Sequence, residues 1–160
     1  MYPSLLPFFQ WLNQLPWNPL LRESTWIVAT NNLVHLLSVM VFTGAVVIVD
    51  LRLLGRGLTK QPLAQVARGA QPWLIGGLLG LLVTGFFALA VNAMVDYRIP
   101  VFWVKMDALL LALIFTFTVR RKVALADEAR VGPVWAKLVA LVSIALWTGV
   151  VMSARLMQLL

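Results

Sequence analysis

Cysteine is absent from this chain, histidine occurs once, and only six residues are acidic. The first absence excludes disulfides, iron–sulfur clusters, thiolate metal sites and covalently attached c-type haem. The second limits any imidazole-ligated group to one imidazole per copy, that of His35. No nucleophile–base–orienter set, no paired catalytic carboxylates and no phosphate-binding glycine loop are present, so the chemistry of soluble enzymes is not expected. Charge is scarce as well: 12% of the 160 residues are charged against 61% that are hydrophobic, the balance of an integral membrane protein and not of a soluble domain.

The apolar residues are gathered into four runs, Trp26–Val49, Trp73–Val95, Trp103–Val119 and Trp135–Ala154. Each is close to the roughly 20 residues that cross about 30 Å of hydrocarbon as a helix. A β-barrel needs alternating segments of about ten residues, whereas these runs are continuous and rich in Leu, Ala and Val. The pattern predicts an all-α fold, an integral membrane four-helix antiparallel bundle in which residues 1–160 form one domain. Each run opens on a tryptophan, and indole prefers the membrane interface, so Trp26, Trp73, Trp103 and Trp135 are read as markers of the bilayer edges. Ahead of the first run, Leu5, Phe8, Phe9, Leu12 and Leu15 recur at helical spacing opposite Gln10, Asn13 and Gln14. That predicts a short helix over about residues 4–16, lying in the interface or capping the bundle, and ended by Pro16 and Pro19. It has neither the basic start nor the small-residue cleavage site of a signal peptide, so no cleavage is expected there.

Net charge is +7. Nine of the thirteen basic residues fall between the first and second runs (Arg52, Arg56, Lys60, Arg68) or between the third and fourth together with the first turn of the fourth (Arg120, Arg121, Lys122, Arg130, Lys137). Cytoplasmic loops collect Lys and Arg, so both long loops are expected in the cytoplasm and both termini outside. The positive charge is thereby a topological signal, and no nucleic-acid partner is expected, since no soluble basic stripe is interleaved with aromatics.

An ionisable group inside a membrane span is expensive and points to function. His35 lies nine residues beyond Trp26, roughly 13 Å along a helix, in the outer half of the membrane. Asn31, His35, Ser38 and Phe42 share a helix face, and on the second span Gly77, Gly80, Thr84, Ala88 and Asn92 form a line of small or polar residues. Such a line packs closely against another helix, within the bundle or in a homo-oligomer. Lys105 and Arg155 both fall at the outer edge, against the charge bias, where each either snorkels to headgroups or binds an anionic ligand. Together Asn31, His35, Asn92, Lys105 and Arg155 outline a cationic pocket suited to an anionic, partly apolar ligand.

The segments RESTW (Arg22–Trp26), VHLLSVMVFTGAVVIVDLRLLG (Val34–Gly55), IPVFWVKMDALLLAL (Ile99–Leu113) and LWTGVVMSARL (Leu146–Leu156) resemble a family of small bacterial four-helix membrane proteins of unknown function. That family is distantly similar to the HemJ-type protoporphyrinogen oxidases, which bind haem b and depend on a first-helix histidine and a later helix lysine, and to the CopD-type copper-resistance membrane proteins. The resemblance places His35 at the histidine and Lys105 at the lysine, and implies a bacterial plasma membrane location. The chain departs from the family pattern at Asn32, Phe115 and Arg120.

Three functions follow as expectations. The first is a haem b redox protein, transferring electrons or oxidising a porphyrin, with His35 as axial and metal ligand and Lys105 and Arg155 pairing with propionates. It implies a redox partner and allows a dimer in which two His35 residues share one haem. The second is a copper-handling protein using His35 with Met94, Met106 or Met152, because thioethers and imidazole suit Cu(I). The third is a cofactor-free anchor or assembly subunit.

Overall fold

A computed structural model describes residues 2–58, 60–126 and 131–159. A 3-10 turn at Pro3–Leu5 leads into α1 (Leu6–Asn13) and α2 (Asn18–Glu23); α3 (Thr25–Leu53) and α4 (Leu63–Arg98) follow. Then come α5 (Pro100–Phe115), a π-helical turn (Thr116–Arg120), α6 (Arg121–Leu125) and α7 (Pro133–Leu159). The α5–α6 segment is continuous and counts as one span, Pro100–Leu125. Among the described residues four helices are therefore long and apolar enough to cross a bilayer, and only 22% of the most apolar stretch of each is buried inside the bundle. The remaining apolar surface needs lipid around it, which makes this a multi-pass membrane protein built as an all-α four-helix bundle.

The helix boundaries have local causes. Ser24 caps α3 by accepting the Ile27 amide at 3.4 Å. At its other end Gly55 takes φ +73°, Gly55 N–H bonds Arg52 O and Arg56 N–H bonds Leu51 O, both at 3.0 Å, the paired bonds of a Schellman stop. Proline begins α5 and α7 at Pro100 and Pro133, where the missing amide hydrogen costs nothing.

The spans are longer than the apolar runs, and the loops correspondingly shorter. Arg52, Arg68 and Lys137 lie within helices, and Arg130 lies outside the described residues. A hydropathy run stops at the first charge, whereas a helix continues through the headgroup layer while its hydrogen bonds persist.

Helices α3 and α4 form one antiparallel hairpin and the α5–α6 segment with α7 the other. Near the loop end of the bundle, Phe42, Val46, Val49, Leu74, Val123 and Ala140 belong to the larger core. At the end that carries the chain termini, Phe9, Leu12, Ala90, Tyr97, Phe102 and Trp103 belong to the second.

Two interface readings change here. Trp103 is buried, its ring 5.6 Å from those of Phe9 and Tyr97 and its indole N–H donating to Tyr97 O at 3.1 Å, so it anchors the bundle cap. Trp26, Trp73 and Trp135 are exposed, as interfacial indoles require. The amino-terminal helix presents two apolar faces. Phe9 and Leu12 pack into the bundle, while Phe8 and Trp11 face outward, so the cap and interface roles are combined.

The small-residue face of α4 packs on α3 of the same chain. A Cβ added at Gly77 would lie 2.7 Å from Phe42 N and 2.9 Å from Phe42 Cα, and one at Gly80 would overlap the Ser38 hydroxyl. Main chain cannot step aside as a flexible side chain can. Gly77→Ala is therefore expected to cost about 1–3 kcal/mol through forced separation of α3 and α4. Gly76→Ala, with nothing within 4 Å of its added Cβ, serves as the control. Thermal unfolding of both variants in one detergent checks the difference; equal midpoints would remove the close-packing argument.

Candidate functional site

Where the backbones of α3 and α4 approach most closely, the polar residues of the two helices meet. His35 Nδ1 and Thr84 Oγ1 are 2.7 Å apart, and Asn31 Nδ2 donates to Thr84 O at 3.2 Å. The direction of the first bond follows from its neighbour. Thr84 Oγ1 donates its own hydrogen to Gly80 O at 2.6 Å, leaving the hydroxyl only as an acceptor toward the imidazole. His35 thus carries its proton on Nδ1, and Nε2 keeps its lone pair. Nε2 has no hydrogen-bond partner among the described residues, and the ring is only half-buried. Gly85 stands beside it, 3.9 Å separating the ring Cε1 from the place a Cβ would occupy. An oriented imidazole with a free nitrogen is what metal ligation requires.

His35 lies about 13 Å from the level of Trp26, and Thr84 about 16 Å from that of Trp73, so the pair sits near mid-bilayer, slightly toward the termini end. The Lys105 ammonium on α5 acts electrostatically on His35, and also on the buried carboxyl of Asp96. No direct ion pair joins Lys105 to Asp96.

The predicted residues are thus partly gathered. His35 and Asn31 share Thr84, whereas Lys105 makes no hydrogen bond with either. Asn92 is exposed two turns beyond Thr84, at a kink in α4 where its φ is −113°, with its amide 3.4 Å from Ala88 O. Arg155 is exposed near the end of α7. Met106 and Met152 are exposed, and Met94 packs beside the termini-end core. Among the described residues no group of three or more His, Cys, Asp or Glu side chains is placed to hold a metal.

Three polar residues escape sequence reasoning. Thr84 reads as one of a line of small residues, though it determines the tautomer of His35. Asp96 sits at a helix end where a carboxylate reads as solvated, yet it is buried beside α5. The third is Asp50, fully buried near the loop end, whose Oδ1 accepts from Arg120 Nε at 2.6 Å and whose Oδ2 accepts from Ser143 Oγ at 2.7 Å. Arg120 Nη2 also donates to Val46 O at 2.8 Å. Arg120 is therefore a buried ion-pair partner and drops out of the loop charges on which the expected orientation rests, whereas Arg56, Lys60, Arg121 and Lys122 are exposed.

The fold and site define a polytopic helical membrane protein whose first span carries one imidazole oriented by a hydrogen bond to the second. The chain belongs to the family of unknown function DUF6644, which matches residues 8–159. No curated protein and no solved structure matches it.

Proposed function

We propose that this protein is a haem b-binding redox protein of the bacterial plasma membrane, with His35 Nε2 as an axial ligand to the iron. The observation that carries the reading is the Gly80–Thr84–His35 chain, which commits Thr84 as acceptor and Nδ1 as donor and so frees Nε2. The residues present fit the group: neutral imidazole is a common haem ligand, and Lys105 supplies a cation near it for a propionate. Arg155, on the termini side of the bundle, is the second cation assigned to the propionates. Bound there, haem b supplies one-electron transfer, consistent with electron transport or porphyrin oxidation; the protein holds and orients it, and Thr84 maintains the basicity of the ligand nitrogen. The remaining basic residues of the two loops orient those loops to the cytoplasm and both termini outside. The sequence resemblance to HemJ-type oxidases, with His35 and Lys105 at the matching positions, implies the same assignment.

An absorption spectrum of detergent-purified protein from haem-replete cells tests it, with a Soret band as the expected result. Copper without porphyrin absorption would transfer His35 to the Cu(I) reading, and a well-folded protein with neither would leave the assembly role. The Thr84 link adds a finer expectation. Thr84→Val retains the shape but removes the acceptor for Nδ1–H, and loss of such a supporting hydrogen bond weakens binding about 10- to 100-fold. Titration of haem into the purified variant measures this, and retention equal to the parent would show that Thr84 does not orient the ligand.

A further inference from the structure

Along the α3–α4 hairpin runs an open groove that reaches Thr84, the hydrogen-bond partner of His35. Its part toward the termini end has a volume of about 550 Å3, with Asn31, Asn32, Thr84 and Asn92 among its polar walls and Trp26 and Phe87 among its apolar ones. Toward the loop end it meets, at Val34, a second groove of about 550 Å3 walled by Leu37, Val41, Trp73 and Gly76. Each volume lies within the range of small-ligand sites, about 300–1,000 Å3. The two parts differ in character. The first gathers three carboxamides and two threonines, while the second is apolar except for Ser38, whose hydroxyl donates to Val34 O at 2.8 Å.

Asn32 gives this groove its ligand chemistry. It lies six residues inside Trp26, about 9 Å deeper into the hydrocarbon, and its side chain is exposed. It makes no hydrogen bond to any described residue, and Asn31 uses one amide hydrogen on Thr84 O and has another to give. Amide groups facing hydrocarbon are costly until a partner arrives, and lipid chains supply none. A molecule that accepts hydrogen bonds at its head, presents a flat face to Trp26 and Phe87, and trails a long apolar chain meets both halves of the groove. Thr84 lines the groove and also binds His35, so the head would rest one residue from the imidazole.

We propose that this groove binds an isoprenoid quinone from the bilayer, its carbonyls accepting from Asn31 and Asn32 and its chain lying along Val34, Val41 and Gly76. The choice of a quinone over other amphiphiles rests on the redox reading of His35; the existence of the binding groove does not. Such a ligand would reach the site laterally from the membrane, without a path through the bundle.

The test uses the full-length protein in lipid nanodiscs and a photoreactive azidobenzoquinone bearing a decyl chain. Labelling mapped by mass spectrometry is expected on residues 26–34 and 83–92, and to fall when excess decylubiquinone competes. Asn32→Leu is expected to lower labelling about fivefold, the loss of one neutral hydrogen bond, and Val34→Trp to abolish it by filling the junction of the two parts. Helicity of both variants is measured alongside, and unchanged labelling in two folded variants overturns the proposal. Even labelling over all lipid-facing helices also overturns it, as does equal competition by decanoate, which would assign the groove to ordinary acyl chains. Because the chain lacks cysteine, Asn32→Cys tests a second copy as occupant, and efficient disulfide pairing between two copies of that variant would assign the groove to a dimer instead. His35→Ala separates the two readings: specific labelling in a protein without haem absorption sustains the groove while removing the redox site.

Discussion

Arg120→Met is expected to destabilise the bundle by about 3–5 kcal/mol, because it leaves the Asp50 carboxylate buried without its counter-charge. Asp50 has no access to water, and its second oxygen is already committed to Ser143. The same substitution releases Val46 O from Arg120 Nη2, so α3 loses two links to the π-helical turn at once. Replacing both partners removes the buried charge altogether, and Asp50→Leu with Arg120→Met is expected to be milder than Arg120→Met alone. Unfolding midpoints of the parent, both single variants and the pair in one detergent measure the coupling. A double variant whose loss equals the sum of the single losses would show that the contact contributes no interaction energy. Arg121→Met, one residue further on and exposed, should leave stability nearly unchanged.

His35→Ala is expected to abolish haem absorption while leaving the bundle folded. The imidazole makes one hydrogen bond, to a hydroxyl that continues to donate to Gly80 O after the change, so no buried polar atom is left without a partner. The tight α3–α4 contact at Gly77 and Gly80 is untouched. Spectroscopy and thermal unfolding together therefore separate a ligand from a structural histidine. Loss of the Soret band with a midpoint equal to that of the haem-free parent supports ligation; a lowered midpoint with the band retained would make His35 a packing residue and end the haem proposal.

The membrane-spanning class and the number of spans could be read directly, because they rest on properties that need no partner. A run of about 20 apolar residues has few alternatives to a spanning helix, and a lone imidazole within one is costly wherever its neighbours lie. Asn31 and Lys105 stand out in the sequence for the same reason, as polar groups in apolar runs, and the structure joins Asn31 to Thr84. Helix ends were less so: the runs stop at Val49 and begin at Trp73, whereas α3 continues to Leu53 and α4 starts at Leu63.

What the sequence determined alone was thus the medium and the segments: apolar content requires lipid, and length decides how often the chain crosses it. Only tertiary structure decided which polar groups meet. Arg120, Arg121 and Lys122 are equivalent as basic residues near a helix end. The π-helical turn over Thr116–Arg120 keeps Ala112, Thr116, Arg120 and Ala124 inward, whereas steps of four in an α-helix drift about 40° each. The same holds for Thr84, whose hydroxyl bears on His35 only because Gly77 and Gly80 let α4 approach α3 at that register. Burial depends on what the opposite helix presents at that depth, and helical periodicity within one strand of sequence carries no record of it.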